Sequence, residues 1–273
     1  QFGKLYFNAS INGAYNKNEV LDIQNSEKRL TGGDGGFGQS GVLFAEVGTP
    51  MGAFYAIKTD GIFQTEEEIS AYVNSTGGKI QPKAKPGDIK FIDANGDGTI
   101  LPDDRVESGS PYPDFTGGLN LNIEYNGFDV NMFIYAALGQ EVYDATRRYD
   151  MNGTNYRADW LNRWTGPGTS NYYPRVTFVD DNENMKTVSD FFIHDGSFVR
   201  LRNITLGYTL PKSVTNYIKI KNIRFYVSAE NLLTFTGYKG YDPEIGGGVF
   251  SNGIDHGIYP QARTVLGGVN ITF

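Results

Sequence analysis

Apolar and polar side chains alternate along this chain in runs of strand length. Leu5, Phe7, Ala9 and Ile11 fall on one face, and Tyr6, Asn8, Ser10 and Asn12 on the other. Leu119, Leu121, Ile123 and Tyr125 alternate with Asn120, Asn122 and Glu124. The return run sets Phe128, Val130, Met132, Ile134 and Ala136 against Asp129, Asn131, Phe133 and Tyr135. Ile204, Leu206, Tyr208 and Leu210 repeat the pattern, as do Ile223, Phe225, Val227 and Ala229. Val265, Gly267, Val269, Ile271 and Phe273 end it. A period of two marks a pleated strand with unlike faces. Asn126–Gly127 predicts a type I′ hairpin, because both residues tolerate positive φ. Pro211 ends its strand, since proline cannot donate to the ladder. Residues 42–57 read as one more extended stretch with a bend at Thr49–Pro50. The fold class is all-β, with about seven long strands.

Three features point to a membrane barrel. Runs of roughly ten residues with an apolar band and terminal Tyr or Phe suit a tilted membrane strand. The links also alternate: 59–116, 140–197 and 235–262 are long, while 126–127 and 211–222 are short. Outer-membrane barrels pair short periplasmic turns with long extracellular loops. The link 13–41 breaks the rule, being long where a periplasmic turn is due. Gly268, Ile271 and Phe273 fit the aromatic-ended last strand of such barrels, which closure protects from stray pairing. Seven strands cannot close a barrel alone, so further strands are expected before Gln1, which opens in mid-pattern. The competing fold is a soluble, calcium-stabilised extracellular β-sandwich that binds ligands as an adhesin or lectin does.

Composition narrows the choice. Among 273 residues, 35 are Gly and 18 each are Tyr and Phe, a profile of short-turned all-β chains. The net charge of −7 argues against nucleic acid, which needs clustered Lys and Arg. There is no Cys, hence no disulfide scaffold and no thiolate metal site. No run of about 18 apolar residues offers a transmembrane helix.

The chemistry lies in the links. Asp93, Asn95 and Asp97 stand at positions 1, 3 and 5 of a calcium-type loop, with Gly98 at 6, Thr99 at 7 and Asp104 at 12. This spacing predicts a structural Ca2+ site, ligated by Asp93, Asn95, Asp97, Thr99 and Asp104, that stiffens a long loop. Tyr143, Arg147, Arg148, Tyr149, Trp160, Trp164, Tyr172 and Tyr173 crowd the second long link, and Tyr238, Tyr241 and Phe250 the third. Aromatic faces bury ligand area at low entropic cost, so Tyr143, Trp160, Trp164, Tyr172 and Tyr241 are candidate substrate contacts. Only two His residues are present, and Asp242 and Glu244 read as turn residues rather than a glycosidase pair. The residues form no catalytic constellation, and the chain is expected not to be an enzyme.

Several segments in order carry a family resemblance: GTPMGAFY (48–55), KTDGIFQ (58–64), PGDIKFIDANGDG (86–98), DDR (103–105), PDFTGGL (113–119), DGSFVRLRNITLGY (195–208), VSAENLLT (227–234), YDPE (241–244) and YPQART (259–264). Together they resemble the C-terminal part of SusC/RagA-type TonB-dependent transporters of Bacteroidota. The resemblance implies a 22-stranded transmembrane β-barrel around an N-terminal plug, of which this chain would supply roughly strands 16 to 22. It implies residence in the outer membrane of a Gram-negative bacterium and nutrient uptake of oligosaccharides or peptides. The implied partners are the plug and remaining strands, a SusD-like surface lipoprotein as lid, TonB through the absent N-terminal part, and outer-membrane lipid. By the same resemblance the loop of Asp93 and Asp104 lies outside the cell, near the lid.

Overall fold

A computed structural model describes residues 5–36, 38–147 and 156–273. Arg148 and Tyr149 lie outside the described residues. In chain order the strands are β1 (Leu5–Tyr15), β2 (Arg29–Gly36), β3 (Gln39–Glu46), β4 (Ala53–Ala56), β5 (Thr59–Ile62), β6 (Ile89–Phe91), β7 (Val106–Glu107), β8 (Phe115–Tyr125), β9 (Phe128–Leu138), β10 (Glu141–Asp144), β11 (Ile193–Asp195), β12 (Phe198–Thr209), β13 (Asn222–Thr236), β14 (Ile254–Asp255) and β15 (Thr264–Thr272).

Six of them make one antiparallel sheet in the order β1-β8-β9-β12-β13-β15. This sheet is the wall, and it is open: β1 and β15 stand at its two edges. The expected count of seven is corrected to six. Residues 42–57 are not a wall strand but contribute β3 and β4 to a separate four-stranded sheet, β2-β3-β4-β7. Val42, Leu43, Phe54 and Ala56 are fully buried there, which suits the interior of a folded body and not a lipid-facing strand. The correction removes the anomalous link, because residues 16–114 become a single long connection from β1 to β8.

Local chemistry sets the wall's turns. Asn126 (φ 50°) and Gly127 (φ 88°) turn β8 into β9 with Tyr125 opposite Phe128. Pro211 follows β12 and opens a short helix, α1 (Lys212–Tyr217), that leads into β13. Register aligns the faces across the sheet: Phe7, Ile123, Val130, Leu206, Val227 and Gly267 lie in one row. The neighbouring row runs Asn8, Asn122, Asn131, Thr205 and Ser228. Leu206 and Val227 are each 53 % exposed. Nothing packs on the apolar face among the described residues, so the sandwich, in which a second sheet would bury it, is not the fold.

The long links gather at the other end of the wall and share one core. Val42, Leu43, Phe54, Ile57 and Phe91 pack with Tyr143, Trp160, Phe191, Phe192 and Ile254, residues drawn from all three links. β10 pairs antiparallel with β11 and parallel with β14, tying the second link to the third.

Candidate functional site

The wall has one wet face and one apolar face. On the wet face Asn8, Ser10, Asn120, Asn122, Asn131 and Asn203 line a cavity of about 280 Å³. The Thr205 and Ser228 hydroxyls are 2.8 Å apart, and Asn122 Oδ1 is buried without a partner. Nearer the turns, Arg224 donates from Nε to Asp129 Oδ1 at 2.9 Å and from Nη2 to Oδ2 at 2.5 Å. The pair joins β9 to β13 across Gly207 of β12, where a Cβ would stand 2.4 Å from Asp129 Oδ1. On the apolar face Tyr125, Phe128, Tyr208 and Phe225 align at the turn end. Phe128 and Tyr208 have ring centroids 4.5 Å apart.

The loop of Asp93 and Asp104 is held by its own backbone. Asp93 accepts from Gly96 N and Gly98 N at 2.8 Å each, and Asp97 Oδ1 accepts from Thr99 N at 2.8 Å. Asn95 Oδ1 accepts from Asp97 N. Asp104, fully buried, accepts from Ala94 N, Asn95 N and Leu101 N. These bonds are those of an Asx-rich turn. No group of three or more carboxylate or imidazole side chains gathers at metal-holding distance among the described residues.

The link aromatics divide by burial. Tyr143 is fully buried and donates to Gln39 Oε1, and Trp160 is buried against Tyr173 and Phe191. Trp164 donates from Nε1 to Gln64 Oε1 beside Gly87. Tyr172 is half-exposed, and Tyr241 is exposed. The first three pack the core shared by the long links, and only the last two present broad surface.

Two charged clusters had no local signature. Arg200, buried in β12, donates to Asp242 Oδ1 at 2.6 Å and Glu244 Oε2 at 2.8 Å. Arg202 donates to Glu244 Oε1 at 2.5 Å. Burial pushes the Asp242 carboxyl up, but the N–H groups of Gln261 and Glu244 and the Arg200 guanidinium outweigh it and hold it below the ordinary range. A proton-donating acid needs the opposite shift, so Asp242 acts as a counter-ion to Arg200, while Glu244 is ion-paired with both Arg200 and Arg202. The available signal was spacing: two arginines two residues apart, and two carboxylates two residues apart. The second cluster surrounds His194. Burial, then Arg147, lowers its pKa to about 4.

Comparison with known proteins agrees with the wall. No protein-family model matches the chain. The chain is 32 % identical over 276 residues to TonB-dependent receptor P3 of Formosa agariphila, covering 98 % of itself and 27 % of that protein. It is 30 % identical to TonB-dependent receptor P26 of the same organism, over 94 % of this chain and 26 % of the relative. It is 32 % identical to TonB-dependent receptor SusC of Bacteroides thetaiotaomicron, over 69 % of this chain and 18 % of the relative. It thus spans about a quarter of the length of the first of these relatives. Among solved structures it resembles the RagAB peptide transporter, with a TM-score of 0.71 and 22 % identity over 100 % of this chain and 28 % of the other. The 'open-open' state of the RagAB peptide importer gives 0.73 and 21 %, over 100 % and 27 %.

Proposed function

Because the chain belongs with the SusC/RagA-type TonB-dependent receptors of Bacteroidota, about a quarter of whose length it matches, we propose that it forms part of the wall and outer face of an outer-membrane transporter. The remaining strands complete a 22-stranded barrel, and a plug fills the lumen. The cargo is a peptide or oligosaccharide captured with a SusD-like lipoprotein lid, and TonB supplies the energy. Transport of this kind is not enzymatic. One observation carries the reading: the six-stranded wall bears an uncovered apolar face and a face of Asn, Ser and Thr, with every long link at one end. Only lipid satisfies the first face and only water or a polar plug the second. The amide-lined cavity around Asn122 is the wall's contribution to holding the plug.

The test is fractionation of the native source, gentle detergent extraction and mass spectrometry of co-migrating chains. Recovery from the outer membrane with a plug-bearing portion and a SusD-like lipoprotein supports the proposal. Recovery as a lone soluble monomer overturns it.

Calcium is a second reading, confined to the loop of Asp93 and Asp104. It is favoured by the Gly98 N–H closing on Asp93 Oδ2 with Gly98 at φ 92°, the sharp turn a calcium loop needs at its sixth position. Calorimetric titration of the full-length protein checks it. Saturable binding lost in Asp93→Ala supports calcium, and no heat at millimolar calcium, the weak end of extracellular sites, removes it.

A further inference from the structure

The chain carries a net charge of −7, yet residues 211–222 (PKSVTNYIKIKN) hold three lysines and no acid. They form the short link from β12 to β13, at the end of the wall away from the long links. Pro211 and α1 (Lys212–Tyr217) begin it. Lys212 Nζ donates to the Lys221 carbonyl at 2.7 Å, and Lys219 turns the chain at φ 57°. The fold therefore keeps Lys212, Lys219 and Lys221 in one small turn. All three are exposed, and none forms an ion pair with a carboxylate among the described residues.

The apolar side chains of the turn are ordered too. Thr215 is fully buried, and α1 lies against β13. Val214, Tyr217 and Ile218 stand at i, i+3 and i+4, which places them on one face. They are 44 %, 90 % and 44 % exposed. The stripe is thus left uncovered, beside lysines that are left unpaired.

The depth of the turn says what meets it. Tyr125, Phe128, Tyr208 and Phe225 close the apolar face at this end, where a barrel's aromatic belt marks the hydrocarbon boundary. Pro211 is three residues beyond Tyr208. That is about 10 Å along a strand and about 8 Å in depth at the usual barrel tilt. The headgroup layer is about 5–7 Å thick on each side of the hydrocarbon, so the turn stands at headgroup level. Apolar groups enter that boundary while ammonium groups meet its phosphates.

We propose that residues 211–222 dock on the phospholipid leaflet at the turn end of the wall and select anionic headgroups. Lys212, Lys219 and Lys221 meet the phosphates, and Val214, Tyr217 and Ile218 meet the boundary. The Asn126–Gly127 link at the same end offers neither chemistry. The site rests on the wall being membrane-spanning, not on transport or cargo.

The test is native mass spectrometry of the full-length protein in mild detergent, with phosphatidylglycerol or phosphatidylcholine of the same acyl chains added. The parent should retain phosphatidylglycerol about tenfold or more in preference. Lys219→Gln, Lys221→Gln should lose that preference, and Lys219→Arg, Lys221→Arg should keep it; Lys212, which caps the Lys221 carbonyl, is left in place. Equal retention of the two lipids by the parent overturns the site. So does a preference unchanged in the Gln variant, which would place the lipid elsewhere on the barrel. Capture of an acidic periplasmic protein by the lysines, without lipid preference, overturns it in favour of a protein partner. The measurement needs neither TonB nor cargo. Lysine-dependent lipid preference in an outer-membrane protein that imports nothing removes the transporter reading and keeps the site. Import without that preference does the reverse.

Discussion

Gly207 is a glycine because of its neighbours across the sheet. The Asp129–Arg224 pair passes over it, and a Cβ there would lie 2.4 Å from one partner and 2.5 Å from the other. Gly207→Val should break the pair and strand a charge on a crowded face. The expected readout is a lower unfolding temperature of the assembled barrel in semi-native electrophoresis, with Gly207→Ala milder. The sequence places Arg224 on the wet face by periodicity, but its partner is 95 residues away and no local pattern names it. His194 makes a different prediction. Its pKa falls from 6.5 in the unfolded chain to about 4 in the fold, through burial first and then Arg147, with Arg157 and Lys239 adding and Asp144 opposing. A depressed His pKa means that the unfolded chain binds the proton first. The contribution is complete above about pH 6.5 and is lost as pH falls towards 4. Melting curves from pH 7.5 to 4 should show a shallower acid limb in His194→Gln than in the parent protein.

At the level of the element, the wall strands are longer than their alternation. β12 slips register between Leu201 and Asn203 against both neighbours, leaving Arg202 as an extra residue. β13 spends two residues, Asn231 and Leu232, over the same interval, and Asn231 has φ 50°. The bulges reverse the phase of the pattern. Reading periodicity alone therefore starts one strand near Asn203 and ends the other near Ala229, short of the observed Phe198 and Thr236. Within each phase the faces are legible. Leu206→Arg or Val227→Arg should impair assembly, because a cation at mid-membrane on a barrel's outer face costs about 2–4 kcal/mol. Both sites share one row of the exposed face. Normal yields of folded, heat-modifiable protein from both variants would count against the assignment of faces. The stretch 42–57 misleads for a related reason. A strand buried on both sides and a lipid-facing strand are both apolar, and only the partners of β3 and β4 tell them apart.

For the whole molecule, the decisive feature is the joint between the wall and the body formed by the long links. Arg200 is buried at the rim and ties β12 to the third link through Asp242 and Glu244. Arg200→Met should leave Asp242 buried without its cation, a loss of about 3–5 kcal/mol for a broken buried pair. The expected outcome is faster proteolysis of the 237–262 link with the wall still assembled. The double variant Arg200→Met, Asp242→Asn should recover much of the loss. What the sequence alone determined is the two faces of the wall, the Asn126–Gly127 turn, the sidedness of the long links and the family pattern. Each is carried by residues a few positions apart or by motifs in order along the chain. Only the tertiary structure decided that six strands form the wall, that Tyr143 and Trp160 are core, and that Asp104 is spent on backbone N–H groups. Apart from the Asp104 bonds, which span three to ten positions, those outcomes depend on contacts between residues tens to more than a hundred positions apart, and a period-two pattern, which fixes only which way a side chain points, holds no information about what it meets.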